Sequence, residues 1–415
     1  MPKRKPERDS GHIGNTEPET TTPPEAPGVE DDIVGAAIPP TPAPAQVVRL
    51  DLSSPWYRPA KQYLRREQWN DGILQLLNKL PAQAVGEEMV LRYVGLPGQH
   101  HLDVLSMGGI CHQKKLRLDY LGFRTGGGNS ARAVYLAELS VLSRSRYFTA
   151  QSITYPDSVE NIGRENTLAT INYNERGPFD IINLDVCGGI LHGDTTPLLG
   201  AIKYVLTSQA PRLQPWLLFV TTTAKASDIA EDVIAKFFSQ VASNCESVAL
   251  FRDELSSAAE RCGLSVDESL SKPAELDQMG FLRFFTLAFG KWLLANLGNN
   301  KPPASISLHS VYCFRNTERP EPEMLSFAYL VTPVVGGGAD PTGLTVLPAD
   351  ALGNEYAQSA IKLVCASIEG IRDLDEVWDK EPELKAKVVS ECERLLRLIG
   401  VDDEGLAEWH QKHTV

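Results

Sequence analysis

Short apolar runs alternate with amphipathic stretches over the middle of the chain. The apolar runs predict buried strands at residues 90–94, 102–105, 120–124, 148–154, 179–184 and 216–221. Apolar positions spaced by three and four residues predict helices at 57–80, 114–121, 131–142, 159–172, 196–208, 228–241 and 281–297. Because strands and helices alternate, we expect parallel strand pairing with right-handed crossovers.

The pattern changes in the last third of this region. Residues 242–280 are polar and predict an irregular insert. Two further apolar runs, at 307–314 and 324–332, flank a turn-rich stretch at 316–322 and therefore predict a hairpin. The predicted fold class is α/β, with a Rossmann-like and mostly parallel sheet whose last hairpin is antiparallel.

Composition divides the chain into four parts. Residues 1–45 contain ten prolines and no aromatic residue, which predicts a disordered tail. Residues 46–88 are predicted as an N-terminal helical segment and 89–335 as the Rossmann-like domain, followed by a linker rich in Gly and Pro. Residues 350–415 predict an acidic helical segment. Its apolar stripes pack on the domain, which we favour, or dock a protein partner.

The charge is unevenly distributed. A formal net charge of −13 argues against nucleic acid binding over the whole surface. The segment 114–146 is nevertheless basic, with only two acidic residues, Asp119 and Glu138. Its basic residues are Lys114, Lys115, Arg117, Arg124, Arg132, Arg144 and Arg146. This segment is either a local nucleic acid site or a solvated helix face.

The cysteines and the apolar runs narrow the class of protein further. The seven cysteines never form a CxxC pair, so we expect neither a disulfide framework nor a metal site. Cys187 is interpreted as a small buried residue. No apolar run is long enough to span a membrane and no signal peptide is recognisable, so a cytoplasmic protein is predicted. No P-loop, HExxH motif or nucleophile elbow is found.

Two apolar runs pass into small residues in the way that strands of an α/β sheet pass into ligand-binding turns. The first covers residues 102–110 and the second 179–189, and each has a polar residue followed by a pair of glycines. Asp157 follows a third strand. Carboxyl ends of parallel strands meet at one edge of the sheet, so these residues predict a nucleotide-type pocket.

These residues resemble those of the class I S-adenosylmethionine (SAM) methyltransferases. Within that superfamily the chain looks most like the tRNA guanine-N2 dimethyltransferase group, which the stretches 103–109, 185–188 and 221–224 resemble. It is also similar to the three-Cys-motif partner proteins, which are methyltransferase-like and occur with mobile elements or defence genes. Together the resemblances cover residues 90 to 332.

The resemblance implies a role for each of these residues. The cofactor SAM would be bound by Asp103, Ser106, Met107, Gly108, Gly109 and Asp157, and Asp185 would be the catalytic residue at the methyl acceptor. The glycine turn would offer backbone N–H groups to the methionine carboxylate, and Asp157 would accept from the adenine amino group. No metal is implied.

The chain departs from the family pattern at two positions. Arg124 and Thr125 stand where a carboxylate usually accepts from the ribose hydroxyls, and Val186 and Cys187 follow Asp185 in place of a Pro-Pro-aromatic turn. Two functions therefore stay open. The first is a SAM-dependent methyltransferase acting on nucleic acid, RNA or DNA, with the basic segment steering the phosphates. The alternative is a non-catalytic methyltransferase-like scaffold that binds protein partners through the acidic helices.

Overall fold

An eight-stranded sheet forms the centre of the protein in the computed structural model, which describes residues 52–81, 88–124, 146–186, 188–193, 196–316, 321–334 and 349–413. Its strands are β1 (Met89–Gly95), β2 (Leu116–Phe123), β3 (Ile153–Tyr155), β4 (Ile181–Asp185), β5 (Trp216–Thr223), β6 (Ala304–Phe314), β7 (Met324–Pro333) and β8 (Ile371–Asp373). The order across the sheet is β3-β2-β1-β4-β5-β7-β6-β8.

The strand directions confirm the predicted fold class. Strands β3, β2, β1, β4 and β5 pair in parallel, whereas β7 runs antiparallel to both β5 and β6. Strand β8 adds an unpredicted parallel partner to β6. The central strands β4 and β5 are continuous apolar runs because helices cover both faces of the sheet. This arrangement, with only β7 reversed, is the class I methyltransferase sheet with one strand added.

Fourteen α-helices surround the sheet in the described part of the chain. They are α1 (Pro59–Tyr63), α2 (Asn70–Leu77), α3 (Leu102–Ser106), α4 (Gly108–Lys114), α5 (Leu168–Arg176), α6 (Thr196–Ser208), α7 (Glu231–Ser247), α8 (Ala249–Arg261), α9 (Val266–Ser271), α10 (Gln278–Gly298), α11 (Ala349–Ile368), α12 (Leu374–Lys380), α13 (Pro382–Leu398) and α14 (Asp403–His413). Within the described ranges, no helix is both long and apolar enough to cross a membrane.

Several sequence predictions of local structure are wrong. The predicted helix at 159–172 begins only at Leu168, and of the predicted strand at 148–154 only residues 153 and 154 lie in β3. The predicted strand at 102–105 is helix α3, because the first strand is β1 and the chain turns directly after it. Residues 116–121 of the predicted helix 114–121 lie in β2, where the alternating apolar positions face the core. The predicted irregular insert contains α8 and α9, whose apolar sides pack around Leu255 and Val266. The predicted elements at 131–142 and 335–348, the glycine loop at 126–128 and the tail at 1–45 lie outside the described residues.

The N-terminal segment has an unusual buried face. A π-helical stretch, Leu64–Trp69, joins α1 to α2, so the chain is helical from Pro59 to Leu77. Leu64 and Trp69 are buried apolar contacts, as the helical periodicity predicts. Four polar side chains on this segment are also almost fully buried, namely Lys61, Gln62, Arg65 and Gln68. The spacing of four and three residues between Lys61, Arg65 and Gln68 places these three on one face, which points at the sheet.

The C-terminal segment packs on the sheet. Helix α11 contributes Leu363 and Val364 to the main core, and β8 extends the sheet beside β6. Helix α14 buries Trp409, whose indole Nε1 donates a hydrogen bond to the carbonyl of Tyr57 at 2.9 Å. The two ends of the described chain therefore meet at the same place.

Candidate functional site

The strand order of the sheet reverses between β1 and β4. Strands β2 and β3 lie to one side of this point, and β5 to the other. In open α/β sheets, ligands bind outside the carboxyl ends of the strands at such a switch point. Gly95 ends β1 opposite Asn183 of β4, and Asp185 ends β4 two residues later.

A buried ion pair lies at the end of β4. The Lys61 ammonium contacts Oδ1 of Asp185, and the two side chains are only 2% and 7% exposed. Removing each charge from water costs several kcal/mol, even after the protein relaxes around it. The attraction between the two charges offsets this cost only when their geometry is good. The N-terminal segment therefore brings a charge directly to the predicted catalytic residue.

A second buried ion pair lies one helical turn further along the same face. The Arg65 Nε and Nη2 atoms lie 2.7 Å and 2.6 Å from Oδ1 of Asp103. Arg65 also donates from Nη1 to the carbonyl of Trp56 at 3.0 Å. Asp103 is in α3, which begins just after the turn that follows β1. The guanidinium is therefore fixed by two different parts of the chain.

The two pairs form one electrostatic cluster, which we call the charge cluster: Lys61, Arg65, Asp103 and Asp185. Burial raises the pKa of the Asp103 carboxyl, and the Asp185 carboxylate raises it further, while Arg65 and Lys61 oppose this rise. Tyr93 lies close to the cluster. Burial raises the pKa of the Tyr93 hydroxyl, and the Asp103 carboxylate adds to the rise.

The floor of this region is made by β1 and β4. Asn183 donates from Nδ2 to the Tyr93 hydroxyl at 2.8 Å, and both residues are fully buried. The Tyr93 ring also packs against Gly95, where an added Cβ would lie 2.8 Å from a ring carbon. Gly95 therefore allows the turn after β1 to pass close over Tyr93.

The turn after β1 runs from Gly95 to Gly98 and contacts the N-terminal segment. An added Cβ at Gly98 would lie 3.1 Å from the Trp56 ring, so the glycine lets the backbone approach the indole closely. His100 and His101 follow with left-handed φ values of 65° and 54°. This turn follows β1 at the switch point, whereas residues 106–109, to which the resemblance assigns the cofactor, lie in and between α3 and α4.

The ends of β2 and β3 carry different side chains. Arg124 follows β2. Burial is the main cause that lowers the pKa of His101 to about 3, and the positive charge of Arg124 lowers it further. His101 Nε2 lies 2.9 Å from the Thr154 hydroxyl of β3. Asp157 accepts from the backbone N–H of Ser158 at 2.8 Å and from Asn161 Nδ2 at 2.7 Å. The Asp157 carboxylate is therefore used in hydrogen bonds within the turn that follows β3.

The predicted site residues divide into two groups. Asp103 and Asp185 lie together in the charge cluster at the switch point. Ser106, Met107, Gly108 and Gly109 lie in or between α3 and α4, where the Met107 side chain belongs to the apolar core and Ser106 Oγ donates to the Asp103 carbonyl at 2.7 Å. Cys187 lies outside the described residues.

Sequence reasoning missed the cationic half of the cluster. Lys61 and Arg65 lie within the helical periodicity at 57–80, where only the apolar positions were used to place the core. A helix with both apolar and charged residues on its inner side buries polar groups only where partners exist. The spacing of Lys61, Arg65 and Gln68 indicates a shared polar face. Their partners are 38 to 258 residues away in sequence, so the local pattern does not reveal them.

Most described residues of the basic segment lie away from the charge cluster. Lys114 and Lys115 are exposed where α4 ends and β2 begins, and Arg117 lies at the start of β2. Arg146 contacts His112 and Tyr147 near the same edge of the sheet. Arg124, at the end of β2, lies at the carboxyl edge. The other basic residues of the segment lie outside the described ranges.

Metal ligands do not cluster in the part of the chain that the structure describes: no group of three or more His, Cys, Asp or Glu side chains there could hold a metal ion. The charge cluster has two carboxylates, but each is already neutralised by a cationic side chain.

Two solved structures to which the chain is similar are described as methyltransferases. A Listeria monocytogenes protein assigned to the class I SAM-dependent methyltransferases matches with a TM-score of 0.31 and 9% identity, covering 71% of this chain and 70% of its own. The CurJ carbon methyltransferase matches with a TM-score of 0.28 and 10% identity, covering 66% of this chain and 57% of its own. The strand order β3-β2-β1-β4-β5-β7-β6-β8 assigns the fold.

Sequence comparison identifies the family directly. No curated protein matches the chain significantly. The model of the PP_RS20740-like family matches residues 51–411, which span the N-terminal segment, the sheet and the C-terminal helices. The chain belongs to the PP_RS20740-like family.

Proposed function

We propose that this protein binds SAM at the carboxyl edge of β1 and β2 and acts as a methyltransferase, with the acceptor site at Asp185. The observation that carries the proposal is the charge cluster at the switch point of a methyltransferase-type sheet. Strongly perturbed ionisable groups at such a place mark candidate functional sites. The buried Asp103, whose pKa is raised, is one of them.

The residues around the β1 turn fit this cofactor in part. Gly95 and Gly98 allow close backbone approach, and the charge cluster beside them can receive a charged ligand group. The residues at the end of β2 do not match the family pattern, because Arg124 stands where a carboxylate usually accepts from the ribose hydroxyls of SAM. When bound, SAM supplies a methyl group activated by its sulfonium.

The acceptor side of the proposed reaction belongs to Asp185. Its carboxylate can accept a hydrogen bond or a proton from the attacking group, and Lys61 holds it in position. Methyl transfer then depends on orienting donor and acceptor for in-line attack, which requires a fixed rather than a mobile carboxylate. Both members of the pair are nearly fully buried, which satisfies that requirement.

The acceptor we propose is nucleic acid, and its finer form, suggested by the sequence resemblance, is a guanine amino group in tRNA. Arg124 lies at the edge where an acceptor would enter and could contact a phosphate. Incubation with tritiated SAM and either total RNA or DNA tests this proposal. Label in RNA or DNA supports it, and label in neither overturns the nucleic acid acceptor.

A calorimetric titration with SAM and S-adenosylhomocysteine tests cofactor binding. We expect binding by the wild-type protein and its loss in Gly95→Val, because the added side chain would collide with the Tyr93 ring. Gly109→Val is the matched control, since Gly109 lies in α4 and not in the turn after β1. Loss of binding in Gly109→Val alone would instead assign the cofactor to residues 106–109, as the sequence resemblance implies.

The alternative function is a non-catalytic scaffold. Arg124 at the end of β2 and the closed turn around Asp157 favour it, because both alter positions where an adenosine would be held. The absence of any heat with SAM at millimolar concentration, from a protein shown by circular dichroism to be folded, would overturn the methyltransferase proposal and leave the scaffold.

A further inference from the structure

We propose that a basic surface at the amino edge of the sheet binds the sugar-phosphate backbone of nucleic acid. This surface, which we call the basic edge, consists of Lys114, Lys115, Arg117 and Arg146. The inference goes beyond the proposed function, because it concerns a second surface and does not depend on methyl transfer. Strand β2 is eight residues long, so the basic edge lies about 25 Å from the carboxyl edge, where Arg124 follows the same strand.

The four cationic side chains come together because several elements begin or end at this edge. Helix α4 ends at Lys114, and Lys115 is its C-terminal cap. Arg117 is the second residue of β2, and its Nη2 donates to the carbonyl of Phe148 at 2.9 Å, two residues after Arg146. Two separate segments of the chain therefore place their positive charges on one surface.

Carboxylates do not balance these charges. Among the described residues, no carboxylate forms an ion pair with Lys114, Lys115 or Arg146, and all three are exposed. Arg117 contacts Glu88 at 3.6 Å, but both side chains are partly open to water, where such a pair is weak. A positive surface without counter-charges attracts polyanions, even on a chain with a net charge of −13.

The Arg146 guanidinium is held in place by groups that do not neutralise it. Its Nη2 lies 2.8 Å from Nδ1 of His112, and its Nε donates to the hydroxyl of Tyr147 at 2.9 Å. It also lies over the Tyr147 ring, 5.0 Å from the ring centre. Arginine fixed in this way can bind a phosphate through its remaining N–H donors with little further loss of side-chain freedom.

Lys115 occupies a backbone conformation that favours glycine. It caps α4 with a left-handed φ of 53°. Glycine is the usual residue at a left-handed helix end, so lysine is conformationally unfavourable there. The partial negative charge at the end of α4 favours nearby cations such as Lys114 and Lys115, but this does not account for Arg117 and Arg146. A bound phosphate would give all four side chains a counter-charge.

The chemistry of the basic edge fits a phosphate backbone better than bases. The Tyr147 ring is buried beneath Arg146, so its face is not open to a base. Contacts to phosphates carry no sequence information, and they weaken as salt rises because each contact releases counterions. Binding at the basic edge is therefore salt-dependent and independent of sequence.

Fluorescence anisotropy with a labelled single-stranded RNA of mixed sequence tests the basic edge. The full chain should bind it with a Kd of about 1–100 μM at physiological salt. Lys115→Gly should weaken binding about threefold to fivefold and reduce the slope of log Kd against log salt concentration by about 0.7, the contribution of one phosphate contact. Because glycine suits the left-handed backbone, this variant should be at least as stable as the wild type.

The matched control is Lys236→Ala. Lys236 is exposed on α7, outside the basic edge, and its loss changes the net charge by the same amount. It should leave the affinity and the salt slope as in the wild type. The triple variant Lys114→Ala/Lys115→Gly/Arg146→Gln, its fold checked by circular dichroism, should weaken RNA binding roughly 50-fold and reduce the slope by about 2. Unchanged affinity in the triple variant, or as large a loss in Lys236→Ala as in Lys115→Gly, would overturn the basic edge.

Other outcomes separate this surface from the proposed function and from a different partner. Wild-type protein that sediments with phosphatidylserine vesicles and does not bind RNA would overturn the nucleic acid partner. RNA binding that is lost in the triple variant, with no methyl transfer to RNA or DNA by the wild type, would support the basic edge and overturn the nucleic acid acceptor. Methyl transfer to RNA with unchanged RNA affinity in the triple variant would overturn the basic edge and leave the proposed function intact.

Discussion

At the scale of single residues, the site is defined by charges that are buried as pairs. Lys61 and Asp185 are held by each other, and their side chains are only 2% and 7% exposed. Such a pair contributes modestly when intact, but breaking it leaves one charge buried alone. Removing one charge of the pair should destabilise the fold, whereas removing both charges should not. A variant that lacks both charges can therefore show whether the pair has a role in chemistry as well as in folding.

The first prediction concerns Asp185. Asp185→Ala should lower the free energy of unfolding by about 3–5 kcal/mol, because the Lys61 ammonium stays buried without a counter-charge. Lys61→Met/Asp185→Leu should recover most of that loss. Urea denaturation followed by circular dichroism measures both. If the double variant recovers stability and still transfers no methyl group, Asp185 and Lys61 act in the reaction as well as in the fold. Equal losses of unfolding free energy in the single and the double variant would contradict the ion-pair argument.

The second prediction concerns His101. Burial, followed by the charge of Arg124, lowers the pKa of His101 to about 3, whereas an unfolded histidine has a pKa of about 6.5. The unfolded state therefore binds more protons in this window. The stability contributed by the neutral imidazole is complete above pH 6.5 and is lost as the pH falls towards 3. Between pH 7 and pH 5 the loss amounts to about 2 kcal/mol.

His101→Asn tests this pH dependence. Asparagine tolerates the left-handed backbone at this position but does not titrate. Urea denaturation at pH 7 and pH 5 should show a smaller loss in the variant than in the wild type, by about 2 kcal/mol. His100 also titrates with a lowered pKa, so part of the acid sensitivity should remain. Identical pH dependence in both proteins would show that His101 is not responsible.

At the scale of secondary structure elements, long and periodic segments were predictable and short apolar runs were not. Helix α6 and strands β4, β5 and β7 lie where the pattern predicts them, because their lengths and periods suit only one element. The run at 102–105 has three apolar positions and Asp103, and periodicity alone cannot assign so short a run to a strand or a helix. Because these residues form α3, the cofactor turn predicted at 106–109 lies in and between two helices, whereas the turn that directly follows β1 runs from Gly95 to Gly98.

The candidate site was predictable only on its carboxylate side. Asp185 ends a strand that the pattern identifies, so its place at the sheet edge followed from parallel pairing. Lys61 and Arg65 precede the first strand, and their local sequence does not indicate that their segment packs over the switch point. That position depends on packing against α13 and α14, which come from the other end of the chain.

At the scale of the whole molecule, the C-terminal helices support the N-terminal segment. Trp409 of α14 donates to the Tyr57 carbonyl, and His413 Nε2 lies 2.8 Å from the carbonyl of Leu52. Arg66 pairs with Glu391 of α13. The acidic C-terminal segment thus forms the wall that keeps Lys61 and Arg65 over the sheet. Its apolar stripes are used for this packing within the chain.

The last prediction follows from that support. Trp409→Ala should lower the free energy of unfolding by about 3–5 kcal/mol, since the indole is fully buried in the core that contains Tyr57. Because the charge cluster depends on the N-terminal segment, the affinity for S-adenosylhomocysteine should fall in the fraction that remains folded. Lys412→Ala, which breaks an exposed ion pair on the same helix, should change neither quantity measurably. A destabilised Trp409→Ala variant that binds the ligand with unchanged affinity would show that the C-terminal helices stabilise the fold without positioning the site.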